Sequence, residues 1–161
     1  MNPTVYIETT VIGYLAMRPS RDIRTASNQL TTQEWWSRRR HDFELCVSRF
    51  VLDECLDGDP IAAQERSAFL TGLPLLAVTP EIEVLAEALI KSLQIPQKAT
   101  LDAFHISISA VHGVEFLLTW NCKHIANPEH RSKIDGICRA LGFEPPTICT
   151  PFDLLGSDSY E

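Results

Sequence analysis

Three carboxylates stand far apart in the chain, each tied to an apolar segment. Glu8 follows Thr4-Val5-Tyr6-Ile7, Glu54 lies in Val51-Leu52-Asp53-Glu54-Cys55-Leu56-Asp57-Gly58-Asp59, and Asp102 belongs to Leu101-Asp102-Ala103-Phe104-His105-Ile106. A fourth segment, Phe116-Leu117-Leu118-Thr119-Trp120-Asn121, runs from apolar into polar residues. Carboxylates with no cationic partner in their own segments repel one another when gathered, so a fold that gathers them does so around a divalent cation. That chemistry is metal-assisted attack on a phosphate ester.

Each residue also has a plainer reading. Glu8 fits a solvated strand end or a helix N-cap, and Glu54 taken alone fits a surface glutamate. Asp102 gains about 0.3–1 kcal/mol from a helix N-terminus, yet an unpaired carboxylate in so apolar a stretch is costly if buried. His105, one helical turn later, lines the same cleft or packs as an ordinary histidine. Thr119, Asn121, Lys123 and His124 put a hydroxyl, an amide, an ammonium and an imidazole into one short loop, which could orient water, metal or phosphate, or be an ordinary polar loop. Arg38, Arg39 and Arg40 read as a solvated helix end, or beside Trp35 and Trp36 as a stacking and phosphate-gripping surface.

The elements that must position these groups follow from the hydropathy pattern. Short β-branched or aromatic runs at Thr4–Ile7, Leu45–Ser48, Leu75–Val78, Phe116–Thr119 and Thr147–Cys149 alternate with helical segments. The alternation predicts an α/β fold, a parallel sheet of about five strands with helices on both faces. In 80–93, Ile82, Leu85, Ala86, Leu89, Ile90 and Leu93 make one apolar stripe, with Thr79 as N-cap and Pro80 at the first helical position. The stretch 98–112 is a second helix with Gly113 as its C-cap, and 24–40 is a third with a weaker apolar face. In an open α/β sheet, ligands bind beyond the carboxyl ends of the strands where the strand order reverses, and Glu8 belongs there.

With 161 residues, 45% of them hydrophobic, the chain suits one well-filled core, a single domain over 1–156 with a frayed tail at 157–161. Its formal charge of −7 counts against broad coating of nucleic acid, but not against a nuclease whose acidic site loads metal first. The five cysteines form no CxxC pair and are odd in number, which points to a reducing cytoplasm rather than a disulfide framework or zinc site. No apolar stretch approaches the ~20 residues that span a bilayer, and no signal peptide is visible at the start.

Together the segments resemble the PIN domain, and within it the VapC-like toxins of type II toxin–antitoxin systems. The resemblance spans nearly the whole chain: Val5-Tyr6-Ile7-Glu8-Thr9-Thr10-Val11-Ile12, Val51-Leu52-Asp53-Glu54 leading to Gly58-Asp59, Asp102-Ala103-Phe104-His105-Ile106, and Leu117-Leu118-Thr119-Trp120-Asn121-Cys122-Lys123-His124-Ile125-Ala126-Asn127. It implies a three-layer PIN-like sandwich and a Mg²⁺- or Mn²⁺-dependent ribonuclease. Its quartet maps onto Glu8, Glu54, Asp102 and Asn121, with Glu8, Glu54 and Asp102 as metal ligands and Thr119 completing the site. Two positions depart from the usual pattern: Glu8 stands where most PIN domains have aspartate, and Asn121 replaces the fourth acid.

The resemblance further implies an RNA substrate held by Thr9, Lys123, His124 and the arginine run, a cognate antitoxin covering the cleft, and a homodimer. Two other classes compete with a nuclease: a PIN-fold binding module whose chemistry the substitutions have weakened, and a small-molecule phosphatase.

Overall fold

The β-branched and aromatic runs become strands in the computed structural model, which describes residues 1–156; the expected frayed tail at 157–161 lies outside them. The strands are β1 (Thr4–Ile7), β2 (Glu44–Ser48), β3 (Leu75–Leu76), β4 (Phe116–Leu118) and β5 (Thr147–Cys149). They pair in the order β3-β2-β1-β4-β5, every pair parallel. β1 is central, with Val5 opposite Leu45 on one side and Phe116 on the other. Val5, Tyr6 and Ile7 are all fully buried, as a strand covered on both faces must be.

The described helices are α1 (Thr9–Ala16), α2 (Ile23–Arg38), α3 (Arg49–Leu56), α4 (Pro60–Ala68), α5 (Pro80–Leu93), α6 (Thr100–Val111) and α7 (Pro128–Ala140). From β1 the chain steps outward to β2 and β3 through α1 to α4, then returns to the other side of β1 for β4 and β5 through α5 to α7. Crossovers of constant right hand that run in opposite directions along a sheet place their helices on opposite faces. α1 accordingly packs on α2, α3 and α4, while α5 packs on α6 and α7. The sheet is filled between them by Ile12, Val47, Val51, Leu85, Leu89, Ile106, Leu117 and Leu118.

Three expectations change in detail. β3 stops at Leu76 because β2 turns into α3 after Ser48, leaving nothing for Ala77 and Val78 to pair with; the Ala77 carbonyl instead accepts from His112 Nε2 at 2.7 Å. The helix expected from residue 98 opens with a 3₁₀ turn at Gln97–Ala99. Thr79 takes the extended N-cap backbone of α5 without a side-chain capping bond, so proline at the first position does most to set that helix start. Gly113, at φ 67°, ends α6 in the left-handed conformation expected of it.

The packing makes a simple contrast testable. Leu117→Ala, in the fully buried β4, should cost about 2–5 kcal/mol in urea unfolding, whereas Leu75→Ala, 55% exposed on β3, should cost less than about 1 kcal/mol.

Candidate active site

The strand order reverses between β1 and β4, and Glu8 is built into that junction. Its backbone N–H donates to the Leu118 carbonyl at 3.0 Å, extending the β1–β4 pairing by one residue. The chain then turns into α1 with Glu8 as N-cap: Oε2 accepts the Thr10 N–H at 2.6 Å. Oε1 accepts the Thr119 hydroxyl at 3.2 Å, from the residue just past β4. Both plainer readings of Glu8 are therefore realised in part, since it ends a strand and caps a helix, but it is only 2% exposed. Burial pushes its carboxyl above the ordinary glutamate range; the attraction of His105 and the Thr10 N–H offset this in part, and the charge of Glu54 adds to it.

Glu54 projects from α3 toward the same edge. Its Oε1 accepts the Thr9 hydroxyl at 2.8 Å and faces His105 Nε2 at 2.7 Å. Partial burial disfavours its charge, but the hydrogen bonds from His105 and Thr9 outweigh that and hold the carboxyl below its usual value. Asp102, in the first turn of α6, is half-buried, and burial raises its carboxyl. A hydrogen bond from the Asn121 side chain and the attraction of His105 and His124 act in the opposite direction, while Glu54 again repels. Residues from β1, α3, α6 and the β4 loop thus meet at one sheet edge.

Asn121 has a role there that the family comparison did not suggest. Its Oδ1 accepts the backbone N–H groups of Lys123 and His124 at 3.2 and 3.0 Å, so its oxygen shapes the loop, while its side chain acts to lower the Asp102 carboxyl. A fourth acid could not donate to Asp102 in this way. Thr119 joins the set directly through Glu8, and it accepts the Asn121 N–H at 2.9 Å. Thr9 reaches Glu54, and His124 acts electrostatically on Asp102. Lys123 is exposed in the same loop.

The arginine run is not brought to this edge. Arg38 pairs with Glu34 at 2.6 Å, and Arg39 bonds Asp42 at 2.7 Å and the Leu155 carbonyl at 2.8 Å. Arg40 lies over the Trp36 ring at 4.3 Å. All three precede β2, at the amino ends of the strands, where the Glu44 N–H bonds Pro3 O. Trp35 is fully buried, so the aromatic faces that suggested base stacking are used inside the fold.

Sequence reading passed over Tyr6, Ser48 and Thr10. Tyr6 Oη lies 2.8 Å from His105 Nδ1 and 2.6 Å from Ser48 Oγ, and Thr10 Oγ1 accepts the Trp120 N–H at 2.9 Å. The available signal was the hydroxyl itself: a Tyr or Ser in a strand buried on both faces needs a partner.

In kind, the donors suit a hard divalent cation: three carboxylates, two of them raised by burial and by the charge of Glu54, a strain that added positive charge relieves. In geometry they stand open, for among the described residues no group of three or more His, Cys, Asp or Glu is drawn together as a metal-holding cluster. A cavity of about 760 Å³ lies beside the carboxylates rather than over them, between α1, α2 and α4, bordered by Thr10, Tyr14, Met17, Ile61 and Arg66.

No protein-family model and no curated protein matches the chain. Among solved structures, its fold is similar to a chain in the crystal structure of VapBC2 from Rickettsia felis bound to a DNA fragment from their promoter. The TM-score is 0.55 at 13% identity, with 91% of this chain and 98% of that chain covered. The likeness is one of fold: an α/β, PIN-like arrangement with an all-parallel five-stranded sheet between helices. No helix among the described residues is long and apolar enough to cross a membrane.

The buried charge of Glu8 yields a signed prediction. A carboxyl whose folded-state pKa lies above the unfolded value of about 4.3 stabilises the fold when protonated, and that contribution is lost as pH rises through the folded value. Glu8→Gln removes the charge and keeps an oxygen for the Thr10 N–H. In metal-free urea unfolding it should therefore be more stable than the wild type at pH 8, with the difference shrinking toward pH 5. Parallel pH profiles would contradict it.

Proposed function

We propose that the chain is a metal-dependent endoribonuclease of the VapC-like PIN type, a toxin with a cognate antitoxin. The observation that carries this reading is the meeting of Glu8, Glu54 and Asp102, with Thr119 and Asn121, at the switch point of a parallel sheet. The solved VapBC2 complex, whose chain shares the fold, supports the toxin–antitoxin part.

Glu8, Glu54 and Asp102 would hold Mg²⁺ or Mn²⁺ through carboxylate oxygens, and the ion would supply Lewis acidity toward a phosphodiester and its attacking water. The chain's own groups do the rest. Thr119 and Thr10 fix the Glu8 carboxylate through a hydroxyl and an N–H, so it meets a cation without reorganising. Asn121 orients Asp102, and His124 tempers its charge. Lys123, exposed in the loop after β4, would meet a flanking phosphate. A single-stranded or looped RNA suits so open an acidic edge, because splayed nucleotides reach it and paired ones do not.

The arginine run, at the opposite end of the strands, drops out of the proposed substrate path. A homodimer and a reducing cytoplasmic setting remain part of the proposal; all five cysteines are free thiols, four of them buried. The binding-module reading has one observation in its favour, the open spacing of the carboxylates.

The test is cleavage of mixed single-stranded and structured RNA with Mn²⁺, Mg²⁺ or chelator, beside Asp102→Asn. The expected result is metal-dependent cutting that chelator abolishes and that the variant lowers by about 100-fold or more. Equal traces from both proteins would move the assignment to the binding module, and activity on a generic phosphomonoester alone would move it to a phosphatase.

A further inference from the structure

Beneath the carboxylates runs a row of polar groups that the proposed chemistry does not use: Ser48 Oγ, Tyr6 Oη, the two ring nitrogens of His105, and Glu54 Oε1, joined at 2.6, 2.8 and 2.7 Å. Ser48, Tyr6 and His105 are at most 1% exposed, so water does not complete their bonding. The row links β2, β1, α6 and α3. Ser48 occupies the N-cap position of α3 yet makes no capping bond from its side chain; its hydroxyl is turned to Tyr6 instead.

The direction of the row follows from what each group can give. An ionised carboxylate only accepts, so Nε2 carries the hydrogen that goes to Glu54. Nδ1 then accepts from Tyr6, and the Tyr6 oxygen receives the Ser48 hydroxyl; a hydrogen on Nδ1 would turn the Tyr6 hydroxyl toward Ser48 instead and leave the Ser48 hydrogen without an acceptor in the row. Every group is satisfied in that sense. Reversing the ring proton would set the Nε2 lone pair against a carboxylate oxygen 2.7 Å away and leave two buried acceptors facing each other. The Thr9 hydroxyl adds a second donor to the same Oε1 at 2.8 Å, so both bonds fall on one oxygen and Oε2 carries no hydrogen bond among the described residues.

We propose that Tyr6 is a positioning residue: by donating to His105 Nδ1 it fixes the Nε2–H tautomer, and through it the angle at which Glu54 presents its second oxygen. For its consequence this rests on the nuclease reading of the same site, but the tautomer itself does not. Tyr6 touches neither substrate nor metal in that reading. Ser48 is the control, since its removal leaves Tyr6 free to donate as before.

The experiment is long-range ¹H–¹⁵N correlation of the histidine side chains in metal-free protein, for wild type, Tyr6→Phe and Ser48→Ala, followed by Mn²⁺ titration of each. The wild type should show His105 as a single Nε2–H tautomer. Ser48→Ala should keep it, with Mn²⁺ affinity within about two-fold, whereas Tyr6→Phe should lose the single tautomer and about 10-fold in Mn²⁺ affinity. An Nδ1–H or doubly protonated ring in the wild type overturns the proposal, whether or not Tyr6→Phe folds, and so does a Tyr6→Phe protein with unchanged tautomer and affinity. A wild type that shows the Nε2–H tautomer but neither binds Mn²⁺ nor cuts RNA leaves the relay standing and removes the nuclease reading instead.

Discussion

A buried glutamate at the point where two halves of a sheet diverge sets the terms for everything around it. Glu8 extends the β1–β4 pairing through its backbone, opens α1 as its cap and bonds the residue that ends β4, all from one position. A carboxylate with so little access to water has to be held by donors from the protein. The N–H of Thr10 and the hydroxyl of Thr119 meet that need, and both come from elements that β1 and β4 must position. The first is local to the start of α1, whereas loss of register between β1 and β4 would remove the second.

The donors around the acidic edge are almost all neutral. Thr9, Thr10, Thr119, Tyr6 and Asn121 act through hydroxyls, an N–H group or an amide, while Arg38, Arg39, Arg66 and Arg131 are bonded elsewhere in the fold. Arg66 closes the turn after α3 on the Cys55 and Asp57 carbonyls, and Arg131 holds the edge strand β5 at the Ile148 carbonyl. Neutral donors orient carboxylates without cancelling their charge. The edge therefore keeps a net demand for positive charge that no lysine or arginine of the site supplies, which is the physical root of the proposed metal dependence. It also fits a chain of formal charge −7, which would repel a phosphate backbone unless a cation stood between them.

Two hydrogen-bond systems meet at this edge and divide its carboxylates. Glu8 is tied to the strand junction through Thr119, which also anchors Asn121, and Asn121 in turn reaches Asp102. Glu54 belongs to the buried row through His105 and Tyr6. The first system is built from backbone turns and loop side chains, the second from the interior of the sheet. His105 touches Glu54 directly and acts on Glu8 and Asp102 electrostatically, so it is the point at which the two systems feel each other.

Most strands and helices were legible from hydropathy, because burial on both faces demands continuous β-branched runs and one-sided burial demands a helical stripe. Four of the five expected strands reappear with ends shifted by at most one residue, and the helix 80–93 is unchanged. The sequence also singled out Glu8, Glu54 and Asp102, since acidic residues at the margins of apolar segments are costly without a purpose. What it left open was which partners they would find. Packing in three dimensions set His105 against Glu54, brought Asn121 to act on Asp102, and put Arg38, Arg39 and Arg40 at the far end of the strands. His105 and Glu54 meet across 51 positions of sequence on a sheet whose strand order reverses, and hydropathy periodicity records which face a residue lies on but not which distant residue it will meet there.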